Sequence, residues 1–319
     1  MLSSSKGIAF LFPGHSVRVG MGRSWAEISS SARGIIERAD DVLGYSLSRI
    51  AAEGPLEELQ RTRYAQPATL TAGIAACEAL KERGILPALV AGRSVGEFTA
   101  AVAAGVLDFG EALAVVAQRG RDFETDCGCR PGAMVSLHDI TRERAEGLCR
   151  EVRESLNETC CVAGLNSPHR ITISGTPGAI AEVSRLAAAA GAEVLPLRVS
   201  GAFHSELMAG AAAALERRCR DLTFRDPRVP MATGVDGRLH SEGARIRDNI
   251  LSQVTRPVLW EDVIRALVDR GAETFVEIGP RQGLAHMAKE TAPAKRAVTV
   301  EDEASLGELE DLLASAGTA

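Results

Sequence analysis

The stretch ALVAGRSVGEFTAAVAAG at residues 88–105 leaves its backbone few choices. Ala88–Ala91 is a short apolar run suited to a buried strand, and Glu97–Ala104 reads as a helix. Between them the pattern G-x-S-x-G, formed by Gly92, Ser94 and Gly96, permits a turn too tight for flanking side chains. That strand–turn–helix arrangement is the nucleophile elbow. It projects the Ser94 hydroxyl at the top of a sheet, over a helix N-terminus whose N–H groups and dipole suit a developing oxyanion. Arg93, immediately before the serine, places a permanent charge there that the elbow itself does not require.

The rest of the chain accommodates such an elbow. The run GIAFLF at 7–12 closes on Pro13-Gly14 and reads as a buried strand ending in a turn. Residues 23–61 form helical pieces, Ala68–Arg83 is a helix stopped by Gly84, and Leu113–Phe123 is another. Between 134 and 197 the order becomes strand, helix, strand, strand, helix, strand, the split βαβ of a ferredoxin-like unit. Helices resume after 198, residues 273–278 form one more buried strand, and 301–319 a terminal helix. The expected fold class is therefore α/β, a hydrolase-like core with a short parallel sheet, interrupted by a small ferredoxin-like α+β subdomain. Its expected division is 1–130 with 199–319 as the large catalytic subdomain and 131–198 as the small one.

Bulk composition excludes several function classes. With 319 residues, 45% hydrophobic and 24% charged, the chain is globular, and 4% aromatic content leaves an aliphatic core. A net charge of −6 argues against nucleic acid as a partner, since phosphate contacts need concentrated Lys and Arg. The seven cysteines show no zinc-ligand spacing and suit reduced thiols in a cytoplasmic protein. No apolar run approaches the length of a membrane span or signal peptide.

A serine needs a base to become a nucleophile. Of the six histidines, His204 is best placed: SGAFHSELM at 200–208 sets it between a small-residue turn and a helix start. Arg119 is a second unusual residue. It shares one helix face with Ala112, Val115, Val116 and Phe123, where a guanidinium is costly unless paired. Chemistry alone leaves two readings, a structural ion pair or snorkelling stem, and a bidentate clamp for a substrate carboxylate.

The chain resembles the malonyl-CoA:acyl-carrier-protein transacylase family, including the stand-alone acyltransferases that serve polyketide synthases. The resemblance runs through FPGHS at 12–16, GRSVGE at 92–97, RG at 119–120 with GAM at 132–134, and NSPHRITISG at 166–175. It continues through GAFHS at 201–205, LSQVTRPVLW at 251–260 and EIGP at 277–280. It implies Ser94 as the acyl-accepting nucleophile and His204 as the base that later activates a phosphopantetheine thiol. The backbone carbonyl of Gln253 would orient His204, and the backbone N–H groups of Val95 and His15 would form the oxyanion hole. Arg119 would hold the free carboxylate of a malonyl group, with Phe203 filling the space that an α-methyl would need. Phe123, Asn166 and Arg93 complete the implied substrate-binding set. No bound cofactor or metal is implied: acyl-CoA is the donor substrate and carrier-borne phosphopantetheine the acceptor, in ping-pong transfer.

Five positions depart from the family pattern. His15 stands for Gln, Ser16 for Gly, Arg93 for His, Arg170 for Gln, and Phe123 for the usual Met. Arg93 and Arg170 leave two readings, drift at surface or supporting positions and an altered acyl pocket for another carboxylated extender unit; fatty-acid and polyketide service both stay open, and the departures around the serine favour polyketide biosynthesis. The implied partner is an acidic acyl carrier protein, on its own or within a polyketide synthase, met by a monomer. Arg217, Arg218 and Arg220, or Lys295 and Arg296, are candidate docking residues. The competing activities are an acyl-thioester hydrolase, transfer between two carrier proteins, and a non-catalytic docking protein, the last disfavoured by Ser94 and His204 together.

Overall fold

A computed structural model describes residues 7–199, 201–280 and 283–316. The apolar runs become β1 (Ile8–Phe12) and β2 (Leu89–Gly92), both wholly buried, as strands of a parallel sheet covered on both faces must be. The middle of the chain supplies β3 (Ala133–His138), β4 (Cys160–Ser167), β5 (Arg170–Gly175) and β6 (Glu193–Pro196). The last third supplies β7 (Met231–Thr233), β8 (Arg238–His240), β9 (Val258–Leu259), β10 (Thr274–Ile278) and β11 (Arg296–Val300).

These strands form two sheets. The larger has the order β11-β10-β1-β2-β7-β8, parallel throughout except for the antiparallel edge strand β8. The smaller has the order β6-β3-β5-β4-β9. Its first four strands are antiparallel and joined by helices Arg142–Leu156 and Pro177–Ala189, the ferredoxin-like arrangement. β9 then adds to β4 in parallel, so a strand from the last third of the chain completes the small sheet.

Several elements differ from the sequence expectation. The large sheet is longer, because β7, β8 and β11 are short or half-buried and lack a long apolar run. Helix Phe109–Cys129 extends well beyond 113–123, its start fixed by Asp108, whose side chain accepts the N–H groups of Gly110 and Glu111. Helix Thr62–Glu82 begins before Ala68 and continues through Pro67, although a proline inside a helix removes a backbone hydrogen bond. Packing overrides that cost. The Thr62 hydroxyl donates to the carbonyl of Gly120 at 2.9 Å, and a Cβ on Gly120 would collide with the carbonyl oxygen of Thr62. This close approach brings Gln66 to the neighbour of Gly120, Arg119. Replacing Gly120 by Ala should destabilise the fold by about 1–3 kcal/mol through overpacking. An unchanged denaturation midpoint in urea would show that the two helices are not in the close contact described.

Candidate active site

The site is built on loops at the carboxyl ends of adjacent parallel strands, where open α/β sheets present their ligands. Phe12 pairs with Gly92, so FPGHS after β1 lies beside GRS after β2. EIGP after β10 closes the other side, and Ser16 Oγ donates to the Pro280 carbonyl at 3.3 Å. The elbow is as tight as its glycines require: a Cβ on Gly92 would strike the carbonyl of Gly96, and one on Gly96 would strike those of Phe12 and Pro13. Ser94 sits at φ +56°, in the left-handed region that non-glycine residues rarely adopt. Val95 caps helix Gly96–Ala103, so its N–H belongs to the first turn, where no intrahelical acceptor exists.

His204 also has positive φ, +61°, and is buried. Its Nδ1 lies 2.8 Å from the carbonyl oxygen of Gln253 and its Nε2 lies 3.1 Å from Ser94 Oγ. A carbonyl only accepts, so Nδ1 carries the proton and Nε2 presents a lone pair to the serine hydroxyl. Burial holds the imidazole down to about 4, opposed by the Gln253 hydrogen bond and reinforced by the charges of Arg93 and Arg119. His204 is therefore neutral at physiological pH, as a general base must be.

One further residue, not singled out from the sequence, holds this pair by way of Gln253. Glu97 is fully buried; it accepts the Gly234 N–H at 2.7 Å and the Gln253 side-chain amide at 3.2 Å. The same Gln253 amide donates to the Ser94 carbonyl at 3.2 Å, so one side chain ties the nucleophile turn to the carbonyl that orients the base. Burial raises the Glu97 carboxyl to about 8. The available signal was an acidic residue in the first turn of an otherwise apolar helix. Gln66 was hidden by its neighbour Pro67, which reads as a helix breaker.

Arg119 is 1% exposed on helix Phe109–Cys129. Its Nη1 donates to Gln66 Oε1 at 2.5 Å, and its guanidinium carbon lies 4.1 Å from the centre of the Phe123 ring. Nε and Nη2 have no partner among the described residues. Burial lowers the group to about 9, still a cation at neutral pH. No carboxylate among the described residues pairs with it, so the structural ion pair finds no support there. The Phe203 ring lies 5.3 Å from that of Phe123. Phe203 also borders a cavity of about 470 Å³ with His15, Thr62, Cys127, Arg198 and Val199.

Arg93 is half-buried, and its Nη2 donates to Asn166 Oδ1 at 2.9 Å. Asn166 in turn donates from Nδ2 to Thr172 Oγ1 at 2.8 Å. Arg170 does not join the site; it pairs with Glu290 at 2.8 Å. Among the basic candidates for docking, Arg218 is paired with Asp122 and Lys295 with Glu273. All seven cysteines are free, and among the described residues no His, Cys, Asp or Glu cluster could hold a metal ion. No helix among them is long and apolar enough to cross a membrane.

Comparison with known proteins gives the family. The acyl transferase domain family matches residues 9–312. A malonyl CoA-acyl carrier protein transacylase of Bacillus subtilis (strain 168) is 38% identical over 297 residues, covering 92% of this chain and 93% of that protein. The crystal structure of an acyl carrier protein S-malonyltransferase from Vibrio cholerae superposes with a TM-score of 0.90 at 32% identity, over 95% of this chain and 99% of that one. A malonyl-transacylase in complex with its type II PKS acyl-carrier protein gives 0.89 at 32% identity, over 94% and 97%. The chain belongs to the acyl transferase family and, within it, to the malonyl CoA-acyl carrier protein transacylases.

Proposed function

We propose that this enzyme moves a malonyl-type acyl group from coenzyme A to the phosphopantetheine thiol of an acyl carrier protein, by way of an ester on Ser94. The observation that carries the proposal is the Ser94–His204–Gln253 relay set beside a buried guanidinium with two unpartnered donors.

In the first half-reaction His204 Nε2 takes the Ser94 hydroxyl proton as Oγ attacks the thioester carbonyl. The oxyanion forms against the backbone N–H of Val95, with that of His15 as second donor. Collapse breaks the C–S bond, and the departing coenzyme A thiolate takes the proton from His204 Nε2. In the second half the carrier thiol gives its proton to Nε2, its sulfur attacks the ester, and the proton returns to Ser94 Oγ. The third member of the relay is a carbonyl rather than a carboxylate. It fixes the tautomer without adding a negative charge that would stabilise the imidazolium.

Arg119 gives the substrate class. Nε and Nη2 form one edge of the guanidinium fork and match the two oxygens of a carboxylate. A neutral acyl group leaves that buried edge unpartnered, a penalty that discriminates by interaction rather than by size. Phe203, packed on Phe123, narrows the space beside the α-carbon, which favours malonyl over branched relatives by about 1–3 kcal/mol per methyl group. The departure at Arg93, beside the nucleophile, favours service in polyketide assembly, with the acidic carrier protein as partner.

Incubation with malonyl-CoA should add one malonyl group to the intact protein, located on Ser94 and absent from Ser94→Ala. A polyketide carrier protein should discharge the adduct faster than a fatty-acid carrier protein, and water should discharge it slowly. Rapid loss to water would make the enzyme a hydrolase, and equal discharge by both carriers would overturn the polyketide assignment. The pH profile of kcat/KM for this loading step tests the base. A neutral imidazole is required, so the rate should hold as pH falls from neutrality and decline only near the lowered value of about 4. An acid limb centred at the ordinary 6.5 would contradict the electrostatic environment of His204.

A further inference from the structure

Each of the two arginines that depart from the family pattern links the small sheet to an element outside it. Arg93 leaves the end of β2 and reaches Asn166 on β4; Arg170 leaves β5 and reaches Glu290 on helix Leu284–Thr291. The Arg170 pair is partly exposed and therefore contributes little. The Arg93 bond differs in burial and in location.

Asn166 owes its orientation to an irregularity in β4. The ladder with β5 slips between Val162 and Gly164 and again between Leu165 and Ser167, which leaves Asn166 unpaired at a bulge. Bulges re-aim a side chain at the cost of a ladder bond. Here the amide turns towards the Ser94 turn. Both of its ends are engaged: the oxygen accepts Arg93 and the nitrogen donates to Thr172. The reverse orientation would set an amide N–H₂ against a guanidinium. Asn166 is 2% exposed, so a bond lost here leaves buried polar groups unsatisfied. Arg93 is anchored at its other end too, its backbone N–H donating to the Phe12 carbonyl at 2.9 Å.

The same strand also touches the other half of the catalytic pair. Gly164 and Leu165 of β4 pair with Val258 and Leu259 of β9, a short distance along the chain from Gln253, the residue that orients His204. β4 thus bears on Ser94 through Arg93 and on His204 through β9. A shift of the small sheet acts on both. A half-buried guanidinium bonded to a neutral amide is an expensive way to obtain stability alone, since an apolar pair of similar volume would serve as well or better.

We propose that Arg93 is a positioning residue, and that its bond to the bulged Asn166 sets the register of the small sheet against the Ser94–His204 pair. The proposal rests on the reading of Ser94 as nucleophile.

A double-mutant cycle tests this. Arg93→Met, Asn166→Ala and the double variant should each lower kcat for malonyl loading by about 10- to 100-fold, the scale expected of a misplaced reacting group. KM for malonyl-CoA should stay close to wild type. The double variant should be no worse than the worse single, because both changes remove one bond. Asn166→Asp, which retains an acceptor for Arg93, should restore most of kcat. Should Arg93→Met fail to fold, Arg93→Lys, which keeps the charge but loses the reach, replaces it in the cycle. Additive losses, a change confined to KM, or no rescue by Asn166→Asp would overturn the proposal. Intact-mass analysis of every variant separates this from failure of the underlying reading: a malonyl adduct on a residue other than Ser94 would overturn the nucleophile assignment instead.

Discussion

The hydrogen bond from His204 Nδ1 to the Gln253 carbonyl is the contact on which the remainder of the site depends. It selects the tautomer, and the tautomer decides whether Nε2 can accept a proton from Ser94. A backbone carbonyl can be aimed only by fixing the backbone, and much of the surrounding structure does so. The Gln253 side chain is held by Glu97 and the Ser94 carbonyl, Glu97 is held by Gly234 beyond β7, and the chain after Gln253 enters the small sheet as β9. In many hydrolases one carboxylate orients the histidine directly. Here the buried carboxyl group of Glu97 acts one residue further back and leaves the imidazole neutral.

Electrostatics in the cleft are set by burial more than by pairing. Arg119 and Arg93 remain cations with no carboxylate in contact among the described residues, and both oppose a further positive charge on His204. Two uncompensated guanidinium groups are a standing cost to folding. Under the proposed role of Arg119, an anionic substrate relieves that cost when it arrives, which would couple binding of a carboxylated acyl group to discharge of the stored penalty. Strain is placed in the same region: Ser94 and His204 both occupy left-handed backbone conformations, and the Ser94 turn closes only because Gly92 and Gly96 carry no Cβ.

Local chemistry made parts of this legible in the sequence. The elbow could be read because a glycine pair with almost no tolerance for a Cβ leaves an unmistakable spacing. The ferredoxin-like unit could be read because its strands and helices alternate with strong periodicity. The unread parts depend on long-range packing. Strands β7, β8 and β11 are short and gain their identity from neighbours, and β9 is two residues long. The first turn of helix Thr62–Glu82 exists because Gly120 lets two helices close on each other, and Gln66 entered the site with it. Arg93 had no meaning in one dimension, since its partner Asn166 lies far along the chain on a bulge whose position depends on ladder register.

The central claim is that a buried, carboxylate-free Arg119 selects the acyl group. The most direct measurement compares kcat/KM for acylation of Ser94 by malonyl-CoA and by acetyl-CoA in the wild type and in Arg119→Ala. Removing one member of a buried charged pair costs about 2–5 kcal/mol, so malonyl loading should fall by about 30-fold or more while acetyl loading holds or rises. The preference would then shift towards the neutral acyl group. An equal fall for both substrates would reduce Arg119 to a structural residue and contradict the account.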